Sequence, residues 1–340
     1  MNVHTNIPLK NYTSMKLGGP ARFMTDVSTV DELHQVIVNA KTRSIPFFIL
    51  GSGSNVIARD DGYEGLIVRV RIPGFEVIEE NSQTVTIKVG AGEIWDEVVA
   101  RSVDMNLTGI EALSDIPSYA GAAPIQNIGA YGQDISDALV SLEAYDTTTG
   151  QVTTLSREAC KFSYRDSIFR TEARGQYIIT SITLELYKSN PEPPFYKGLQ
   201  DYFDQRGVTA YTPKLVREAV TAIRHEKLPD PAIKPNAGSF FKNAIIEQWQ
   251  LDELLAEYPS APHFAMDENR HKVPAGWLIE QCGFKGQLIH GMRVNPANAL
   301  VLINESATSY SDLSLARDTI IQAVQSEFKI TLEQEPLEIA

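Results

Sequence analysis

Apolar residues at Leu33, Val36, Ile37 and Ala40 fall at i, i+3, i+4 and i+7, the stripe of a helix with one buried face. Thr29-x-x-Glu32 ahead of them has the spacing of a capping box and predicts where that helix starts. Pro46-Phe-Phe-Ile-Leu50 is then an apolar run of strand length that ends in Gly51-Ser-Gly-Ser-Asn55, a strand followed by a glycine loop. After a turn signal at Asp60-Asp-Gly62, the runs Leu66–Val70 and Thr84–Val89 read as strands. Gly90-Ala-Gly92 breaks the second, and Trp95, Val98, Val99 and Val103 return to helical spacing.

The pattern lapses from Leu107 to Asp137, a Gly-, Ala-, Pro- and Ser-rich stretch that is expected to be a loop. Loops this long inside a compact domain are usually functional or disordered, and this one is too apolar for a solvated linker. Leu139–Asp146 and Val152–Leu155, joined at Thr149-Gly150, predict a strand pair, and Tyr177–Tyr187 a further strand. The proline cluster Asn190-Pro-Glu-Pro-Pro194 is the clearest boundary, since it stops both helix and sheet. Beyond it, Thr212-Pro213 supplies an N-cap and an N1 proline for a helix carrying Val216, Ala219, Val220 and Ile223. A short loop is expected over 238–243, a helix over Ala275–Gln281 with Gly283 as its C-terminal cap, a strand over Ala299–Ile303 and a last helix from Ser311.

Composition narrows the function classes. At 340 residues the chain exceeds what one core usually serves, so two or three domains of mixed α+β type are expected. With 43% hydrophobic and 21% charged residues it can bury a sizeable core, which excludes a disordered chain. The net charge of −13 makes nucleic acid a poor partner and requires a few local Arg and Lys to meet any anionic ligand. Cys160 and Cys282 are far apart and outside any C-x-x-C, which argues against a disulfide scaffold and a cysteine-ligated metal, and no metal is expected. No apolar run approaches the ~18 residues of a membrane span and residues 1–16 lack an apolar leader core, so a cytoplasmic protein is expected.

Five segments could carry chemistry, and each has an ordinary alternative. The Gly51–Asn55 loop could bring backbone N–H groups to a pyrophosphate or be a tight turn. It is not a dinucleotide fingerprint, because Val56 occupies the third glycine position and no helix follows. Ile116–Gly132 could lie against a large planar or phosphate-bearing ligand, or pack as a buried loop of small residues. Phe162–Ser167 sets Arg165 beside Asp166, most often a surface pairing. Ser239 lies between a glycine and two phenylalanines without G-x-S-x-G, so it reads as a turn serine and not as a hydrolase nucleophile. The carboxylates of Glu333 and Glu335 in the tail read as solvated charge.

Together these segments resemble the UDP-N-acetylenolpyruvoylglucosamine reductase family, flavoenzymes that make UDP-N-acetylmuramate for peptidoglycan. The resemblance runs from Asn11-Tyr-Thr-Ser-Met-Lys-Leu-Gly-Gly-Pro-Ala21 through the Gly51 loop, Pro124–Gly132, Tyr164-Arg-Asp-Ser-Ile-Phe169, Lys227-Leu-Pro-Asp-Pro231 and Asn236–Asn243 to Glu335. It implies a two-subdomain FAD-binding fold of the vanillyl-alcohol oxidase-like type (1–75 and 76–190), a linker and capping loop (191–212), a C-terminal α+β substrate-binding domain (213–330) and a tail returning to the site (331–340). It also implies that NADPH reduces the flavin and that reduced flavin passes hydride to the enolpyruvyl group of UDP-N-acetylglucosamine-enolpyruvate.

Residue by residue, the resemblance assigns Arg165 to the substrate carboxylate, Glu335 to a partner role there with a shared or retained proton, and Ser239 to protonating the carbanion. FAD would be held by Gly51, Ser52, Gly53, Ser54, Asn55, Ile116, Pro117, Gly121, Ala123, Asn127, Gly129, Ala130, Tyr131, Gly132 and Arg224. Tyr164, Tyr196, Lys227, Asn243, Lys272 and Asn298 would meet the substrate, Tyr196 from the capping loop of the family's longer subtype. Oxidase relatives often tether flavin through a histidine near the glycine loop; the nearest here, His34, lies outside the motif, so non-covalent FAD is expected. The sequence departs from the family's common pattern at Phe264, Asn298, Asp115 and Ser118, and a carboxylate at 115 would be unfavourable near a pyrophosphate unless it points away. A flavin oxidase on the same scaffold and a non-catalytic FAD- or nucleotide-binding protein are the alternatives. The partners expected are the two small-molecule substrates, with no nucleic acid and no membrane, and the chain is expected to be a monomer.

Overall fold

The computed structural model describes residues 2–340, which form two compact units. The first takes in the chain up to Ile7, Ala21–Ser52 and Glu64–His225; the second is assembled from Pro8–Pro20, Gly53–Tyr63 and Glu226–Ala340.

In the first unit, a four-stranded sheet runs in the order His4–Pro8, Pro20–Val27, Tyr63–Val70, Phe47–Ile49, the last two parallel. Helix α1 (Val30–Thr42) buries Leu33, Val36, Ile37 and Ala40 in a core shared with Val27, Leu66, Val68 and Val70 of that sheet. Its start is the expected one: the Thr29 hydroxyl accepts from the Glu32 N–H at 3.1 Å, while the Glu32 carboxylate turns back to the N–H of Ser28. A second sheet, antiparallel throughout, has the order Gln151–Ser156, Leu139–Asp146, Tyr177–Tyr187, Thr84–Gly90, Phe75–Glu80. Its core includes Val98, Val99 and Val103 of helix α2 (Trp95–Asp104) and the buried thiol of Cys160, pushed up to about 12 by desolvation and so inert at neutral pH.

Two expectations change here. The strand Phe75–Glu80 went unassigned because its outer face is mostly exposed and charged, leaving no apolar alternation to read. The stretch 107–137, expected as a loop, holds 3₁₀ turns at Glu111–Leu113 and Ala120–Gln126, a ribbon of Gly129–Ala130 with Gln133–Asp134, and helix α3 (Ile135–Ala138) under an Asp134 capping box. These pieces are too short to carry a period, and side-chain hydrogen bonds hold them. Within 191–212 lies helix α4 (Lys197–Asp204), which buries Leu199 and Phe203 against Phe195, Tyr202 and Tyr211 and against Val216, Ala219, Val220 and Ile223 of helix α5 (Pro213–Lys227). Thr212 caps α5 as expected, its hydroxyl accepting from the Leu215 N–H at 3.2 Å.

The second unit carries a four-stranded sheet ordered Asn236–Ser239, Val301–Asn304, Met292–Val294, Leu288–Ile289, and a three-stranded sheet of Ala244–Glu247, Arg270–Val273 and Phe264–Ala265. Helices α6 (Gln248–Glu257), α7 (Ala275–Gln281) and α8 (Tyr310–Phe328) contribute Leu251, Leu254, Leu278, Ile279, Leu313, Ala316, Ile320 and Val324 to its core. The expected loop 238–243 begins instead as the last two residues of the strand Asn236–Ser239. Leu337–Ile339 pairs in parallel with Val56–Ala58, which stitches the tail to the segment after the glycine loop. Ile339 is fully buried there, so Ile339→Ala is expected to cost about 2–5 kcal/mol of stability. That cost would be read as a lower denaturant midpoint at unchanged slope; an unchanged midpoint would count against the tail as part of this unit's core.

Candidate functional site

In the first unit the glycine loop meets the long segment. Ser52 Oγ donates to the Pro117 carbonyl at 2.9 Å, and a Cβ on Gly51 would stand 3.2 Å from that of Ala122. Below this surface Ala123 is fully buried and Asn127 nearly so, its amide donating to Ser163 O (3.2 Å) and its carbonyl oxygen accepting from Ser136 N. Ala123 and Asn127 therefore shape the segment from beneath, whereas Ile116, Gly121, Gly129, Ala130 and Tyr131 are half-buried and Pro117 and Gly132 exposed.

Asp115, Asn127, Tyr131 and Arg165 all have positive φ, between 48° and 61°, a region costly for residues with a Cβ. Such a concentration persists only where surrounding contacts over-determine it, and it is common at functional sites. At Arg165 those contacts are explicit. Ser163 and Asp166 exchange both backbone hydrogen bonds, which puts Tyr164 and Arg165 at the tip of a tight turn. The Arg165 guanidinium donates to the carbonyls of Gly129 (2.5 Å) and Asn127 (3.4 Å), stands 3.6 Å from Asp134, and lies 5.3 Å from the centre of the Tyr164 ring. Any side chain at 129 would collide: a Cβ there falls 1.6 Å from Asp134 Oδ1 and 2.8 Å from Arg165 Nη1. Tyr196, half exposed at the start of α4, sets its ring edge-on to Tyr131 at 6.1 Å.

Three polar groups that sequence reasoning passed over hold this surface. Glu111, 2% exposed, accepts from Gly109 N (2.6 Å) and from the Gln133 amide (3.1 Å), and Gln133 accepts from Ala112 N (2.8 Å). This fixes the Gly129–Asp134 ribbon, and Glu111, Gln133, Tyr131 and Tyr196 line a cavity of about 280 Å³ in the same unit. Asp96 receives Arg217 in a bidentate pair (2.6 and 2.8 Å) and the Asp115 N–H (2.5 Å). No local pattern could have flagged these groups, because their partners lie up to 121 residues away. The departures Asp115 and Ser118 now have places: the Asp115 carboxylate faces Arg224 (3.5 Å) and His225 (3.4 Å), and the Ser118 carbonyl accepts the first N–H of α2.

In the second unit Asn236 is buried. Its amide donates to Pro229 O and Lys234 O, and its oxygen accepts from Gly238 N, which fixes the approach to Ser239. Ser239, half-buried, stands opposite Val301. The tail runs beside the next residues: Lys242 N–H donates to Glu333 O and Glu335 N–H to Phe240 O, both at 2.9 Å. Glu335, read from sequence as a solvated carboxylate, is 8% exposed because of this pairing. Asn243 Oδ1 accepts the first N–H of α7, and Asn298 Oδ1 accepts Leu300 N, so both side chains also serve the backbone. Lys272 stands opposite Phe264, its ammonium 5.9 Å from the ring centre, and the buried Asn295 holds the carbonyl of the exposed Lys227. Gly53, Ser54 and Asn55 belong to this unit, where Gly53 O accepts from Ser14 N and Asn55 O from Leu337 N.

The first unit's residues fit FAD. Gly51, Ser52 and the small residues of 116–132 offer closely approachable backbone, and Arg224, with its side chain 13% exposed, is bound only through Nε among the described residues. His34, the nearest histidine to the loop in sequence, is engaged with the Tyr145 hydroxyl at 3.1 Å. No cluster of three or more metal-ligating side chains occurs among the described residues, nor any helix long and apolar enough to cross a membrane.

Comparison with known proteins places two families along the chain. An FAD binding domain family matches residues 22–156, and the C-terminal domain family of UDP-N-acetylenolpyruvoylglucosamine reductase matches residues 230–339. Fold and site thus define an FAD-dependent oxidoreductase. The enzyme of that name from Ralstonia nicotianae is 37% identical over 98% of both chains, and that from Flavobacterium johnsoniae 36% over 98% of this chain and 99% of its own. The crystal structure of the Thermus caldophilus UDP-N-acetylenolpyruvylglucosamine reductase superposes over the full length of both chains with a TM-score of 0.69 at 22% identity, which establishes the shared fold. The chain belongs to the UDP-N-acetylenolpyruvoylglucosamine reductase family.

Burial raises the pKa of Glu111 above the ordinary carboxyl value. The folded state then binds the proton more tightly than the unfolded chain, so this group's contribution to stability falls as pH rises from the unfolded pKa through the folded one. Relative to Glu111→Gln, the native protein is therefore expected to lose stability across that window, measured by urea unfolding at a series of pH values. Parallel curves for the two proteins would contradict it.

Proposed function

We infer that this chain reduces the enolpyruvyl group of UDP-N-acetylglucosamine-enolpyruvate to give UDP-N-acetylmuramate, a step of peptidoglycan precursor synthesis, with FAD as non-covalent cofactor and NADPH as hydride donor. Family membership across 98% of the chain carries this reading. When bound, FAD would supply the two-electron hydride chemistry that links the donor to the vinyl carbon. Residues 1–75 and 76–190 are proposed as the subdomains that grip it, 213–330 as the substrate domain and 331–340 as the returning tail.

Hydride addition leaves negative charge on the carbon next to the substrate carboxylate, and preorganised cationic or donor groups lower that barrier. Arg165 is proposed for this role; two backbone carbonyls hold its guanidinium, with the Asp134 carboxylate 3.6 Å away. Glu335 is proposed as its companion at the carboxylate, delivered by the tail pairing. Ser239 Oγ is proposed to give its proton to the carbanion. A hydroxyl is a weak acid, but a carbanion is basic enough to take its proton, and a neutral donor puts no competing charge beside the hydride path. Tyr164, Tyr196, Lys227, Asn243, Lys272 and Asn298 are proposed to meet the substrate, Tyr196 as the cap of the longer subtype. A cytoplasmic monomer is the form proposed, and the net charge of −13 is in keeping with small-molecule rather than nucleic-acid partners.

The purified protein is expected to be yellow and to consume NADPH only when the enolpyruvyl UDP-sugar is present. Flavin reoxidised by air without that sugar would point to an oxidase instead. In stopped flow, Ser239→Ala is expected to leave flavin reduction by NADPH nearly intact and slow the second half-reaction by orders of magnitude, with Arg165 and Glu335 variants likewise sparing the first half. Equal losses in both halves would overturn the role given to Ser239.

A further inference from the structure

Helix α5 carries Arg217 and Arg224 seven residues apart, two turns along one face, beside the buried stripe of Val216, Ala219, Val220 and Ile223. The two arginines are used differently. Arg217 is consumed by the Asp96 carboxylate, which it meets through both terminal nitrogens. Arg224 is bound only along its Nε edge, to the Asp115 carbonyl at 3.2 Å and the Asp115 carboxylate at 3.5 Å. Its two terminal nitrogens make no hydrogen bond among the described residues, although the side chain is 13% exposed. A guanidinium this buried with its fork free is suited to a bidentate anion.

Asp115 is itself held from two sides. Its N–H is fixed by Asp96, which Arg217 anchors, and its backbone sits at φ +61° at the mouth of the 116–132 segment. We propose that Asp115 is a positioning residue: clamped by Asp96 and Arg217, it takes the Nε edge of Arg224 and thereby aims the free nitrogens at the pyrophosphate of FAD. The carboxylate at this position, unfavourable if it faced the phosphates, faces instead the arginine that meets them, with His225 also within 3.4 Å. The proposal rests on the reading of 116–132 as flavin-binding.

The test is a double-mutant cycle on FAD affinity, measured by fluorescence titration of flavin-stripped protein. Asparagine tolerates the left-handed backbone, so Asp115→Asn removes the charge and keeps the turn. Asp115→Asn is expected to raise the Kd for FAD about tenfold when Arg224 is present, and less than twofold on an Arg224→Met background. Equal losses on both backgrounds would mean a structural role, and tighter binding would mean that the carboxylate repels FAD; either overturns the proposal. Arg217→Gln, which loosens the clamp without touching the turn, is expected to weaken FAD in the same Arg224-dependent way, and an unchanged Kd would remove the clamp from the account. If the unaltered protein bound no FAD, the flavin reading itself would fail, a result distinct from an additive cycle.

Discussion

Backbone pairing between Phe240–Lys242 and Glu333–Glu335 is the constraint on which the placement of the tail in the second unit depends. Two hydrogen bonds of 2.9 Å take a carboxylate that chain position would leave in water and bury it one residue along from Ser239. Burying a carboxylate is expensive unless it has a defined partner, and the tail's backbone pairing is what takes Glu335 out of water. Further along the tail, the parallel pairing of Leu337–Ile339 with Val56–Ala58 binds the segment after the glycine loop into this unit. The buried Asn236, with its three hydrogen bonds, does for the approach to Ser239 what the tail does for Glu335.

The first unit solves a different problem, that of placing cations in a protein of net charge −13. Its arginines are rationed by geometry. Arg217 meets a bidentate carboxylate, Arg224 is bound along one edge, and Arg165 is oriented by two backbone carbonyls with the Asp134 carboxylate 3.6 Å away. Burial lowers the pKa of Arg224, with the nearby Asp115 acting in the opposite direction, and a guanidinium remains charged throughout the physiological range. The left-handed residues at 115, 127, 131 and 165 stand where these contacts are made, so backbone strain is held in place by the hydrogen bonds that position the charges.

Much of the regular structure was legible from periodicity. Helices α1, α2, α5, α7 and α8 and the long antiparallel strands each carry one buried face, and a repeat of 3.6 or 2 residues is a direct record of that burial. The 107–137 segment carries none, because its shape comes from 3₁₀ turns, a two-residue ribbon and side chains such as Glu111, Gln133 and Asn127 that bond to partners distant in sequence. Helix α4 was missed for a related reason: at eight residues it offers only Leu199 and Phe203 to its aromatic neighbours, too few to show a period.

By itself the sequence determined the helices and strands whose faces are buried, the acidic balance that demands locally placed arginines, and the ordered motifs through which the chain resembles its family. Those are properties of short segments or of totals, and neither needs distant residues to meet. Which arginine meets a carboxylate with both terminal nitrogens and which along one edge, where the carboxylate at 115 points, and why Glu335 is not solvated were decided only by tertiary structure. Each depends on a pairing between residues separated by about a hundred positions, and a hydrogen bond that long in sequence leaves no periodic trace in the chain.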